Sequence, residues 1–296
     1  MQPTPAPTMP VASVRWFPWI WRGYVAAATI SVAAFIAVLV SVIVAEKDKS
    51  FPLMDVVPEY VSTGDGDSMR IEYDIVEEGS VSLGALLLVA FGADFIGFAT
   101  GAMGLFNLQG YLAAGYHPIQ LVQFTVSAAP VTVAIALVSG VTSTYALLCV
   151  VALHVLTMLS GVVAGVLSAT DQHSSGPTLI QRKRRGGTAM PSHLVRWGSA
   201  AKWISHAAGW VAQAVTWFVC AQAFAAVVRI SSGSPPGFVY ALYIIMAVVY
   251  AWFGIAQLAV LMGTPRARIE MINVVVSPAG KLVTYGFLYT NVFAPV

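Results

Sequence analysis

One lysine and one aspartate stand apart from every other charge in this sequence. Lys281 lies halfway along the apolar stretch VVVSPAGKLVTYGF, and Asp94 lies inside FGADFIGFATG. A lysine at such a depth costs at least about 2.5 to 3.5 kcal/mol to place in a bilayer, so a partner or a chemical role is expected. Its position is too deep for the ammonium to reach either interface along its own stem. Three chemistries are open: a structural ion pair with Asp94, an ion-coupled transport site, or a Schiff base between the lysine amine and an aldehyde ligand. The last needs a desolvated amine, an acid to balance the protonated linkage and an aromatic cavity for the ligand. Trp217, Tyr250, Trp252 and Phe253, all placed mid-helix, are candidates for such a cavity, although aromatic stripes also serve as plain core.

The elements that must position these groups are membrane helices. The chain has 296 residues, 58% hydrophobic and 9% charged, where a soluble domain carries roughly a quarter charged residues. Apolar runs of membrane-crossing length recur near 24–45, 81–105, 118–139, 144–168, 203–228, 238–262 and 271–293. The reading is an all-α membrane protein: a single seven-transmembrane-helix bundle over residues 1–296, with the first helix retained rather than cleaved. Aromatic residues gather at span ends, in WFPWIW before the first and YGFLYTNVF late in the seventh, as interfacial rings do.

Seven spans divide the remaining charges unevenly. The N-terminus and the even-numbered connections carry ten cations, among them QRKRR, against Asp171 and Glu270. The other side carries Lys47, Lys49, Arg70 and Arg229, with ten acids between Glu46 and Glu78. The positive-inside rule therefore predicts a cytoplasmic N-terminus and an extracellular C-terminus, and leaves Lys281 and Asp94 as the two charges within the spans. The basic loop at 182–185 could meet anionic lipid or a cytoplasmic signalling partner, though anchoring alone explains it. In the first outer loop, Ile71, Tyr73 and Ile75 alternate with Arg70, Glu72 and Asp74, which predicts a short β-strand or hairpin. The acids of GDGDSMRIEYD lack calcium-loop spacing and read as a solvated face. Gly97 with Gly101, and Gly161 with Gly165, form small-residue faces for close helix packing. Cys149 and Cys220 sit in apolar runs without disulfide or metal spacing. No hydrolytic, nucleotide-binding, nucleic-acid-binding or metal motif is present, so an enzyme is not expected.

PGFVY at 236–240, Gln257 near the end of the sixth span, an arginine-bearing linker, and a lysine followed by fifteen residues ending in NVFAPV together resemble the heliorhodopsins. These are retinal-binding seven-helix proteins inserted with the N-terminus inside. The resemblance is closest over residues 210–296. It implies all-trans-retinal as cofactor, linked to Lys281, with Ser277 near the linkage. It also implies pocket roles for Trp217, Met158 and Ser127, a homodimer, and light sensing as the function.

Two departures follow from the same comparison. The family carries a third-helix glutamate as counterion, and the matching stretch HPIQLVQFTVSAA has Gln123, a neutral amide that cannot balance a positive charge. The paired histidines on the first two helices are replaced by Ala26 and by Ile96 or Phe98. Asp94 is the expected substitute counterion. With no other carboxylate in the predicted spans, pumping is disfavoured and signalling preferred. Gln120, Gln123, Ser127 and Gln257 keep a passive or light-gated channel open as an alternative. The other alternative is a seven-helix protein without retinal, holding Lys281 and Asp94 as a buried pair.

Overall fold

The computed structural model describes residues 11–43, 50–62, 69–104, 111–112, 117–175, 192–230 and 237–289. The basic QRKRR stretch at 181–185, the GDGD segment at 64–67 and the terminal NVFAPV lie outside the described residues.

Among the described residues the chain forms seven long helices and one hairpin: α1 (Val11–Ile43), β1 (Ser50–Ser62), β2 (Met69–Ser82), α2 (Leu83–Ala102), α3 (Pro118–Val138), α4 (Thr144–Ser175), α5 (Ser192–Ile230), α6 (Gly237–Leu261) and α7 (Arg266–Leu288). Six of them contain apolar stretches long enough to cross a membrane, which makes this a multi-pass membrane protein. The seventh, α3, has a shorter apolar stretch, Val122–Val138. Its second half is enclosed: every residue from 131 to 137 is buried. In its first half Val122 and Val126, four residues apart, are exposed on one face.

The helices pack in chain order around a closed ring, α1 against α2, α2 against α3, and so on to α7, which returns to α1. Local sequence sets the ends. The Ser82 hydroxyl accepts the Ala85 amide at 2.9 Å and caps α2 as the chain leaves β2. His117 Nδ1 accepts the Gln120 amide at 2.9 Å, and Pro118 fills the first turn of α3, where a missing N–H loses no bond. Gly140, at φ 92°, turns the chain from α3 to α4 in a conformation that side chains resist.

Two boundaries differ from the sequence reading in a way that matters. The last helix begins at Arg266 and ends at Leu288, several residues earlier than the apolar run suggests. Arg266 and Glu270, placed in a cytoplasmic loop by composition, therefore belong to α7, and both are buried. Four buried charges, not two, lie in the described helices: Asp94, Arg266, Glu270 and Lys281.

The hairpin is longer than the predicted strand. Its antiparallel strands of 13 and 14 residues pair Val56 with Ile75 and Tyr60 with Ile71, with an irregularity at Leu53/Met54. Its base is tied to the α3–α4 turn. The Met54 amide donates to the Thr142 carbonyl at 3.1 Å, and the Ser143 hydroxyl donates to Asp55 Oδ1 at 2.6 Å. Phe51, Leu53 and Val81 pack against the cluster containing Leu137, Val141 and Leu147.

Asp55, outside the GDGDSMRIEYD stretch, is buried at this tether. The Ser143 hydroxyl, with further help from Thr144, holds its carboxyl below the usual range, against the opposing effect of desolvation. A carboxyl with a depressed folded-state pKa stabilises above its unfolded value and loses that contribution as pH falls through the folded one. Hydrogen exchange at the Met54 amide, taken relative to its intrinsic rate at each pH, is thus expected to stay slow at neutral pH and to accelerate once the pH drops below the ordinary aspartate range near 3.8. Ser143→Ala should bring the acceleration to higher pH, and an unchanged profile would remove this tether from the account.

Candidate functional site

Lys281 projects from the middle of α7, three residues after Pro278. The proline removes one backbone donor and loosens the helix on the turn before the lysine. The side chain is 7% exposed. Its Nζ donates to Asp94 Oδ2 at 2.6 Å and to Ser127 Oγ at 2.6 Å. Asp94 comes from α2 and is fully buried, and its other oxygen accepts from Gln123 Nε2 at 3.3 Å. Gln123 and Ser127 are four residues apart on α3 and so present one face to the pair. The Phe124 ring, centred 5.9 Å from Nζ, completes the surroundings of the ammonium. An ammonium has three donors, and short charge-assisted bonds to a carboxylate and a hydroxyl use two of them.

Two glycines of α2 make the arrangement possible. A Cβ on Gly97 would overlap the side chain of Gln123, and one on Gly101 would overlap the ring of Tyr24. The Gly97/Gly101 face thus admits two polar side chains rather than a bare helix backbone. Gly97→Ala should displace Gln123 from Asp94 and destabilise the protein by about 1 to 3 kcal/mol through overpacking. Thermal unfolding checks this: Gly92→Ala, whose Cβ would meet the edge of Phe35 at an ordinary 3.4 Å, is the control.

A narrow cavity opens beside the lysine, lined by Phe124, Ala128, Val131, Met158, Met246, Val249, Tyr250, Phe253, Ser277 and Lys281. Met158, Tyr250, Phe253 and Ser277, four residues expected around the lysine, thus share one wall. The Tyr250 hydroxyl is turned to Thr132 Oγ1 at 2.6 Å and the Ala128 carbonyl at 3.1 Å, so the ring offers the cavity a carbon surface. Trp217 does not line the cavity. It packs edge-on behind Tyr250 and Tyr243, with ring centres 5.9 and 5.4 Å away, and buttresses the wall. Trp252 is also elsewhere, its indole donating to Asn273 Oδ1 at 3.1 Å. Phe124 was not singled out in the sequence, where one aromatic among apolar neighbours gives no signal. His154 is fully buried with its ring edge-on to Tyr250.

A second polar cluster occupies the end of the bundle away from the hairpin. Glu270 Oε1 accepts from the Tyr24 hydroxyl at 2.6 Å and from Gln120 Nε2 at 2.7 Å. Arg266 donates to Gln120 Oε1 at 2.8 Å and to Gln257 Oε1 at 3.2 Å. Gln120 bridges the two charges. The four polar residues of the proposed wet path therefore divide between two sites, Gln123 and Ser127 at the lysine and Gln120 and Gln257 here. A signal for this cluster was present in the sequence. Arg266, Glu270, Asn273, Ser277, Lys281 and Thr284 recur at three- and four-residue spacing and are all buried on one face of α7.

A carboxylate, a hydroxyl and an amine at one end of an apolar cavity can hold a protonated nitrogen and bring it against an apolar ligand. Compared with known proteins, the sequence matches no family model and no curated protein.

Proposed function

We propose that this protein is a light-sensing membrane receptor that carries all-trans-retinal as a Schiff base on Lys281. The observation that supports the reading most is the contact of the buried Lys281 amine with Asp94 and Ser127 at the mouth of an aromatic-walled cavity. The donor set fits the group, while the cavity beside it, about 20 Å³ in volume, must widen to take the polyene. One amine is available for the linkage, one carboxylate stands within reach to balance its charge, and the remaining wall is mainly apolar, with the Tyr250 hydroxyl already engaged. Retinal supplies a visible chromophore and a double bond that isomerises on absorbing light.

The chain's own residues then have distinct tasks. Asp94 neutralises the positive nitrogen, Ser127 orients it, and Gln123 holds the carboxylate in place by its second oxygen. Phe124, Met158, Tyr250 and Phe253 would flank the polyene in a widened cavity, and Ser277 lies one turn before Lys281. Trp217 backs the wall, so a push on Tyr250 is transmitted to α5. Signalling is favoured over pumping because a pump needs titratable groups on both sides of the nitrogen. Glu270 is one such group, about 16 Å away along α7 at 1.5 Å per residue. Among the described residues, no buried acid of the helices lies toward the hairpin end. The charge asymmetry of the loops supports a cytoplasmic N-terminus and an extracellular C-terminus, which would turn the Glu270 end toward a cytoplasmic signalling partner. Assembly as a homodimer belongs to the same reading.

The second reading keeps the helices without retinal, and what favours it is the closed Lys281–Asp94 pair, already at 2.6 Å. Adding all-trans-retinal to the purified protein separates the two. The first reading predicts an absorption band to the red of free retinal that Lys281→Ala removes. No such band, or one indifferent to Lys281→Ala, supports the second.

A further inference from the structure

We propose that a second, wider cavity, between α4, α5, α6 and the start of α7, binds a small organic anion with an apolar body, in the simplest case an aromatic monocarboxylate. Lys281 is not in its lining, but Phe124, Met158, Tyr250 and Phe253 line both cavities, so the site is tested on the protein without retinal. Three fully buried polar atoms of its lining residues lack a partner, and all three are donors. Gln213 Nε2, Gln257 Nε2 and Arg266 Nε have no hydrogen-bond partner, and their residues are 7%, 9% and 8% exposed. Buried donors without acceptors are costly and uncommon.

The neighbouring bonds fix these donors in place. Arg266 uses both terminal nitrogens, on Gln257 Oε1 and Gln120 Oε1, which leaves its Nε. Gln257 gives its carbonyl to Arg266, which leaves its amide nitrogen. The lining carbonyls of Gln120 and Gln257 are engaged by Arg266 and that of Asn273 by Trp252, while Glu270 Oε2, an unpartnered acceptor, belongs to a residue outside the lining. A ligand that satisfies this wall must therefore bring acceptor oxygens. Arg266 is the one permanently charged residue in the lining, and Glu270, turned to Tyr24 and Gln120, is not part of it. The rest of the wall includes the rings of Phe124, Trp210 and Phe253, which suit a flat apolar body.

Benzoate titrated into the full chain in lipid nanodiscs tests the assignment, read by calorimetry and by the change in tryptophan fluorescence that Trp210→Phe removes. Saturable binding is expected, with benzyl alcohol, the uncharged analogue, at least about tenfold weaker. Gln257→Glu keeps the acceptor for Arg266 but replaces the free amide nitrogen with a carboxylate oxygen. It should weaken benzoate by about tenfold or more while the melting temperature holds. Gln213→Leu, which removes another free donor, should weaken it by about tenfold. Equal binding of benzyl alcohol, or benzoate affinity unchanged in both variants, would overturn the proposal. So would the absence of saturable binding, the donors then being served by water alone.

Discussion

Asp94→Asn is expected to move the main absorption band of the retinal-loaded protein from the visible into the near-ultraviolet at neutral pH. Two unit charges at about 4 Å interact by about 4 kcal/mol at an effective dielectric near 20, and each 1.4 kcal/mol is a factor of ten in a protonation equilibrium. The carboxylate stands closer than that, at 2.6 Å from Nζ. Without it a positive nitrogen in this apolar setting has only the Ser127 hydroxyl and the neutral amide of Gln123 nearby, and neither carries charge. Glu270 is too far along α7 to replace it. Asparagine keeps the size of the side chain and an acceptor for Gln123, so packing changes do not confuse the result. A spectrum and an alkaline titration identical to those of the unaltered pigment would take the counterion role from Asp94.

The second large effect is on stability in the absence of retinal. Lys281→Met leaves Asp94 fully buried without its cation, and breaking a buried ion pair from one side costs about 3 to 5 kcal/mol. Removing both charges, in Lys281→Met with Asp94→Asn, should recover most of that loss, because a neutral pair of similar volume leaves no uncompensated charge. Denaturant unfolding of the single and double variants in bicelles measures the cycle. Additive losses would show that the two charges are held by other groups and that their 2.6 Å contact contributes little.

Much of this architecture was legible because a bilayer imposes it. Uncharged runs of some twenty residues have few alternatives to a spanning helix, and the alternation of Ile71, Tyr73 and Ile75 pointed to β2. Lys281 and Asp94 were legible for the same reason: a charge inside an apolar run is conspicuous, and two opposite charges invite pairing. The α7 boundary was not. Hydropathy marks where a chain turns apolar, whereas the helix starts at the turn after Pro265, among polar residues that the bundle interior accepts. Arg266 and Glu270 looked like loop charges because RARIE adjoins a glycine and a proline, and their burial depends on Tyr24 and Gln120 from distant parts of the chain. Trp217 shows the converse limit. Its sequence position suggested the cavity wall, but the face it presents is fixed by Tyr243 and Tyr250 on α6.

The most direct measurement of the central claim is the site of attachment. After incubation with all-trans-retinal, reduction with borohydride should fix the ligand as a stable amine, and mass spectrometry of the digested protein should place the added retinyl mass on the peptide containing Lys281. An unmodified Lys281, or adducts spread over Lys47, Lys49, Lys183 and Lys202, would contradict it.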